Sequence, residues 1–298
     1  MHNYMTTARL LFQSLRPIQW TKNGFILIPL VFAHRVFCYE SVIESLQAVF
    51  IFCILSGSVY LINDLIDLEA DRRHPVKRHR PIAAGLIPPR TAKIAATVLI
   101  LLSGIWGVFI GPAFFLVLVA YLTVQILYNY RLKQVVILDI FCVSCGFFLR
   151  IVAGAVAIQV VISNWLIICT ILMAMFLTLG KRRHELLLLG QAEAINHRKV
   201  LSQYSAYLLD QMIGVITGIT ILSYVLYCIS PQTIEKFQTD HLIYTFPFVL
   251  YGIFRYLYLI HRKGKGDAPE KVLITDLSLL ICVILWGLFC ILIIYRII

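Results

Sequence analysis

Charge is what this chain has least of. Asp, Glu, Lys and Arg make up 14% of its 298 residues, against about 25% in soluble proteins. Apolar residues make up 60%, and mean hydropathy is +0.86. So little charge leaves little room for a separate soluble domain and points to a polytopic membrane protein. Disulfide and zinc patterns are missing too. Of the eight Cys, only Cys142 and Cys145 form a C-x-x-C; that pair lies in an apolar run, and no second pair completes a metal site. The cysteines read as small buried hydrophobes. Met1 to Trp20 lacks the apolar core and small-residue cleavage site of a secretory signal, so no cleavable leader is expected. There is no internal repeat and no pair of matched broken half-helices, which argues against a transporter.

What is present is a series of apolar runs. Helical spans need roughly 17 to 25 such residues. They fall near 23–39, 42–63, 94–110, 113–130, 136–160, 164–180, 205–229, 242–261 and 273–296. The expectation is an all-α polytopic bundle of nine transmembrane helices. Ile94 to Tyr130 carries no charge and is too long for one span, but Gly111-Pro112 breaks it. Ser163-Asn164 separates spans five and six in the same way. Nine crossings put the termini on opposite sides. With a cytoplasmic N-terminus, only Arg35, Lys236 and Arg296 fall outside, and Arg150 and Arg255 lie within spans. Every other Lys or Arg is then cytoplasmic, as the positive-inside bias requires. Leu10, Leu11, Leu15 and Ile18 suggest an interfacial helix before Trp20, and 181–203 suggests a second amphipathic helix.

The densest charge lies between Asn63 and Gly85, NDLIDLEADRRHPVKRHRPIAAG. On a continuing helix, Asn63, Asp67 and Asp71 stand at i, i+4 and i+8 and cover about 80° of arc. Asp64 lies at the edge of that face, and Glu69 points elsewhere. Such oxygen donors suit Mg²⁺, which takes one or two carboxylates and leaves other positions to water and phosphates. Acids at a membrane boundary are costly and signal function. The competing reading is a surface cluster that pairs with Arg72, Arg73 and Lys77. Pro75 and Pro81 keep 74–85 out of regular helix, so a loop presents Lys77, Arg78 and Arg80. Arg and Lys there suit phosphate; the alternative is a solvated positive-inside loop. His74, beside Pro75, reads as a structural residue.

N-D-x-x-D-x-x-x-D at Asn63–Asp71 resembles the first aspartate-rich motif of the UbiA superfamily of intramembrane prenyltransferases. Further blocks resemble its branch of polyprenyl-phosphate (decaprenyl-type) phosphoribosyltransferases. They are RPIQWTKN at Arg16–Asn23, HPVKRHRPIAAG at His74–Gly85, YNYRLKQVVILDI at Tyr128–Ile140, GFFLRIVAGA at Gly146–Ala155 and GKRRHE at Gly180–Glu185. The blocks cover residues 16 to about 185. Aromatic prenyltransferases of the superfamily usually carry a second D-x-x-x-D; here that region has the single acid Asp139. This departure weakens a prenyl diphosphate donor and fits the phosphoribosyltransferase branch.

The resemblance implies one UbiA-type integral-membrane domain over 1–298. It also implies transfer of 5-phosphoribose from 5-phosphoribosyl 1-pyrophosphate to a polyprenyl phosphate, releasing pyrophosphate. On that reading Asn63, Asp67 and Asp71 hold Mg²⁺ on the donor pyrophosphate, and Asp64 ligates or orients. Asp139 stabilises an oxocarbenium-like sugar or holds ribose hydroxyls. Lys77, Arg80, Lys133, Lys181 and Arg182 are candidates for the phosphates of donor and acceptor. Lys22 is a candidate for the lipid phosphate or the pyrophosphate. Arg150 contacts a phosphate, pairs with an acid or is structural. Tyr128 and Tyr204 donate hydrogen bonds or are core aromatics. Arg255 and Asp276 form a structural pair. The implied setting is a bacterial inner membrane with a cytoplasmic site and no nucleic-acid partner, and it is compatible with a homo-oligomer. The rival readings are an aromatic prenyltransferase with a prenyl diphosphate donor and, in another class, an anion or phospholipid transporter.

Overall fold

The computed structural model describes residues 2–197, 199–263, 272–273 and 275–296. Arg198, Lys265 and Lys271, counted above among the cytoplasmic cations, lie outside them. The described residues form helices and contain no strand. Helix α1 is His2–Ser14, followed by a 3₁₀ segment Pro17–Leu27 and a short α2, Ile28–Phe32. Then come α3 (Tyr39–Ile66), α4 (Leu68–Arg73), α5 (Pro89–Ile110), α6 (Pro112–Tyr130), α7 (Leu138–Ala157) and α8 (Asn164–His197). The chain continues with α9 (Ala206–Ile229), α10 (Pro231–Phe237), α11 (Phe246–Arg262) and α12 (Leu277–Ile294). Among the described residues, eight helices are long and apolar enough to cross a membrane. This is a multi-pass membrane protein.

The expected break at Gly111-Pro112 is present: α5 ends at Ile110, Gly111 adopts φ 153°, and α6 starts on Pro112. Two expectations need correction. The first span, 23–39, is not a continuous α-helix. Its residues belong to the 3₁₀ segment, α2 and a turn. Within the span, five 3₁₀ residues at about 2.0 Å each and five α-helical residues at about 1.5 Å each reach about 17.5 Å, short of the roughly 30 Å of a bilayer's hydrocarbon core; the turn after α2 makes up the rest of 23–39. The second correction concerns 181–203. Lys181 to His197 continues α8 out of span six and is not a separate amphipathic helix; a short 3₁₀ turn, Lys199–Gln203, follows.

The chain forms two compact units. The first comprises Met1–Leu30, Arg35–Lys133 and Leu149–Val161, and the second Val31–His34, Gln134–Phe148 and Ile162–Ile298. In the first, α3 carries buried Ile51, Phe52 and Leu55, and Phe52 meets Phe114 and Tyr121 of α6 edge-on. Ile82 and Ile87, both fully buried, anchor the basic loop against Leu61, Ala92 and the leucines of α1. In the second unit, Phe176, Leu179, Tyr204, Leu209, Tyr256 and Leu259 share one core. Tyr224, Cys228, Phe237 and Ile293 share another. Exposed Val98, Leu101, Ile105, Val108 and Phe109 of α5 are surface that bilayer lipid covers.

Candidate active site

In the first unit the acid motif sits where α3 gives way to α4. Asp67 leaves helical geometry at φ −89°, ψ 8°. The i+4 backbone ladder nonetheless survives the bend: Asp67 N–H donates to Asn63 O at 2.9 Å and Asp71 N–H to Asp67 O at 2.7 Å. The side chains then diverge. Arg80 Nη1 donates to both Asp64 Oδ1 at 3.1 Å and Asp71 Oδ2 at 2.5 Å. Arg16 also donates to Asp64 Oδ1, and its guanidinium lies over the Tyr60 ring. Lys133 Nζ reaches both oxygens of Asp67, at 2.7 and 2.9 Å. Asp64 and Asp71 are each only 3% exposed, so these pairs are far less screened than surface ones. Glu69 pairs with Arg72 at the exposed surface, away from this group.

This donor set can be tested against a divalent ion. Among the described residues, no group of three or more His, Cys, Asp or Glu forms a ready cage. The two-carboxylate manner of Mg²⁺ fits better. One nitrogen of Arg80 already stands between oxygens of Asp64 and Asp71, where a cation is wanted. Asn63 and Asp67 adjoin Asp71 on the same ladder. Asn63, Asp67 and Asp71 are the donors that would hold such an ion, with Asp64 ligating or orienting and substrate phosphates completing its shell.

Further site candidates of this unit lie on the basic loop, the 3₁₀ segment, α6 and α7. Lys77 opens the 3₁₀ turn Lys77–His79 and is half-buried. Lys22 is half-buried on the 3₁₀ segment, and Tyr128 half-buried near the end of α6. His74 Nδ1 accepts from Val76 N–H and Lys77 N–H, so the expected structural role holds. Arg150 is 6% exposed; its Nε donates to Asn23 Oδ1 at 2.8 Å and its Nη2 to Tyr121 Oη at 3.0 Å. Asn23 donates onward to Cys53 Sγ and Ser56 Oγ. This network ties Arg150 to the 3₁₀ segment.

In the second unit Asp139 is fully buried in the first turn of α7. Its Oδ2 accepts from Arg182 Nε at 2.7 Å and its Oδ1 from Tyr204 Oη at 2.8 Å. Tyr204 Oη in turn accepts from Ile137 N–H at 2.7 Å. Ile137 holds φ 71°, an outlier for a β-branched residue. Strain of this kind gathers at functional sites. Burial and the Asp139 carboxylate push the Tyr204 phenol well above its ordinary pKa, so it remains a donor. Arg182 Nη1 also bonds Glu185 Oε2 at 2.7 Å, and Lys181 lies 3.9 Å from Glu185. Arg255 and Asp276 form the expected pair, at 3.1 and 2.8 Å.

The model of the UbiA prenyltransferase family matches residues 26–280. The chain belongs to that family. Its curated relatives include the decaprenyl-phosphate phosphoribosyltransferase of Corynebacterium glutamicum, 34% identical over 94% of this chain and 85% of that one. The enzyme of the same name from Mycolicibacterium smegmatis is 32% identical over 93% and 89%. Among solved structures, a UbiA homologue from Archaeoglobus fulgidus bound to GPP and Mg²⁺ aligns with TM-score 0.74 at 17% identity, covering 96% of this chain and 99% of that one.

For this UbiA-family chain, sequence reasoning named Asp64, Asp67, Asp71, Arg80 and Lys133, and the structure ties them into one unit. It places Asp139, Lys181 and Arg182 in the other. Four residues were not singled out as site residues: Arg16, Asn23, Tyr121 and Glu185. Arg16 and Asn23 stood in RPIQWTKN and Glu185 in GKRRHE, so the motif blocks were the available signal. Tyr121 had none.

Proposed function

We propose that this protein transfers the 5-phosphoribosyl group of 5-phosphoribosyl 1-pyrophosphate to a decaprenyl-type polyprenyl phosphate, at the cytoplasmic face of a bacterial inner membrane. The observation that carries this reading is the near end-to-end similarity to proteins named decaprenyl-phosphate phosphoribosyltransferase. The bond from the anomeric carbon to pyrophosphate breaks, and a bond to an acceptor phosphate oxygen forms. That phosphate is already ionised at neutral pH, so no general base is required. Asn63, Asp64, Asp67 and Asp71 supply the oxygen donors for Mg²⁺. When bound there, Mg²⁺ would neutralise charge on the departing pyrophosphate. Arg16, Arg80 and Lys133, now on carboxylates, are the cations that would turn to phosphate. Lys22 and Lys77 are further candidate cations for the phosphates. Asp139 and Tyr204 orient Arg182, which with Lys181 is offered to phosphate. The need for many cations follows from bringing several anions together.

On the nine-crossing reading, the N-in, C-out orientation keeps the cations of the motif where soluble sugar phosphates are found. The likeness to a fold that binds GPP favours a second reading, a prenyl diphosphate donor. Asp139, the lone acid of the second region and already engaged by Arg182 and Tyr204, speaks against it.

The test is a reconstituted assay with Mg²⁺, phosphoribosyl pyrophosphate and decaprenyl phosphate. The expected products are a phosphoribosylated lipid and pyrophosphate. Failure across several polyprenyl lengths, together with prenylation of an aromatic acceptor, would sink the proposal.

A further inference from the structure

The transfer reaction leaves unused a cluster at the far end of the second unit. Helix α9 starts two residues after Tyr204 and ends at Ile229, and α10 follows it directly. Its 24 residues span about 36 Å. The cluster therefore lies a membrane's thickness from Asp139. Three pieces of chain meet there: the turn after α2, the end of α10, and the residues after α12. Each passes through left-handed geometry at a residue other than glycine: His34 at φ 58°, Gln238 at φ 56° and Arg296 at φ 55°. Such residues are uncommon, and three of them at one spot indicate a shape that the surroundings hold in place.

The His34 ring stacks on Phe237 at 5.4 Å and meets Tyr295 at 4.9 Å. Lys236 Nζ lies 5.6 Å from the centre of the Phe237 ring. Arg296 Nη2 donates to Gln238 O at 3.2 Å, which ties the last segment to α10. Partial burial, then the charges of Lys236 and Arg296, hold the His34 imidazole below its ordinary pKa. Lys236 and Arg296 thus both stand close enough to the His34 ring to disfavour its protonation. Asp240 is engaged with His241, and Glu235 is exposed on α10. Among the described residues, no ion pair joins Lys236 or Arg296 to a carboxylate.

Cations are scarce on this side. Of all Lys and Arg, the topology leaves only Arg35, Lys236 and Arg296 outside, and two of the three converge here. Two cations gathered round one imidazole, against the positive-inside bias, call for an anion. Arg offers a fork to phosphate, Lys a point charge and His a further donor. The cluster lies just beyond the ends of α9 and α12, at the depth of lipid headgroups.

We propose that His34, Lys236 and Arg296 form a binding site for the phosphate of a phospholipid headgroup, on the membrane face remote from Asp139. The test is protection of Lys236 from an amine-acylating reagent in the wild-type protein in neutral detergent, read by peptide mass spectrometry. Exposed Lys93 serves as the reference. Short-chain phosphatidylglycerol at ten times its dissociation constant should slow labelling of Lys236 by about tenfold and leave Lys93 nearly unchanged. Arg296→Gln should remove most of that protection. Inorganic phosphate at equal concentration should protect weakly. Equal protection by inorganic phosphate overturns the lipid assignment in favour of a free anion. Absence of protection by either, or protection equal at Lys93, overturns the site.

Discussion

Gly154→Ala probes how the 3₁₀ segment is held. A Cβ added at Gly154 would lie 2.0 Å from Ile26 O and 2.9 Å from Ile26 C, where real Cβ contacts stay above 3.0 Å. Both atoms belong to the backbone, so no rotamer change relieves the overlap. The segment must retreat by about 1 Å, since overpacking is relieved by backbone shifts. Such overpacking costs about 1–3 kcal/mol. Ile26 shares its segment with Lys22 and Asn23, and Arg16 stands at its head on Asp64. A misplacement of about 1 Å in positioning groups can cost about 100-fold in rate, or about 2.7 kcal/mol. Gly154→Ala should therefore fold, unfold at lower temperature and transfer phosphoribose 10- to 100-fold more slowly by this estimate (about one to two decades). Gly107→Ala is the control. Its Cβ would lie 2.4 Å from Leu118 Cδ1, the end of a flexible side chain that can turn away. Turnover and thermal unfolding would be measured on both variants in the same detergent. A Gly154→Ala protein with wild-type rate and melting temperature refutes the clamp.

Asp67→Asn and Asp71→Asn should each abolish turnover in the reconstituted assay with little loss of fold; normal activity in both removes the metal assignment. Arg182→Gln leaves the fully buried Asp139 without its guanidinium, and denaturation should report a loss of about 3–5 kcal/mol; a loss under about 1 kcal/mol would contradict the burial argument. The raised pKa of Tyr204 means that the folded state holds this proton more tightly than the unfolded chain. Its stabilising contribution is present below the ordinary phenol pKa of about 10 and is lost as pH rises beyond it. Tyr204→Phe should flatten that alkaline decline in melting temperature, and an unchanged profile would count against the bond to Asp139. Chelation by EDTA should stop turnover yet leave the melting temperature unmoved, because Arg80 and Lys133 already neutralise the carboxylates; a large fall would mean that the metal is structural.

Much of this was legible in the sequence. Gly111-Pro112 marked a helix boundary because proline lacks an amide donor and glycine tolerates positive φ. His74 announced a loop brace through its place beside Pro75, and Asn63, Asp67 and Asp71 kept their i+4 ladder. The 3₁₀ segment was not legible. Hydropathy reports how apolar a run is, not how tightly it winds, and the winding here rests on Asn23 meeting Cys53 and Ser56 and on the missing side chain at Gly154. Partner choice was equally hidden. Arg16 and Asp64 are 48 residues apart, and Arg150 and Asn23 are 127 apart. Periodicity within one helix carries no information about contacts at that range.

The position of Arg80 between Asp64 and Asp71 bears on how the protein is made. A carboxylate stripped of water without a partner costs several kcal/mol, and these two lie nearly out of solvent. With a guanidinium from the same chain between them, the acids have a counter-ion during folding in the membrane, before any substrate is met. Substitutions at Arg80 should lower the amount of protein recovered from the membrane and its specific activity together, whereas substitutions at Lys22 or Lys77 should lower activity alone.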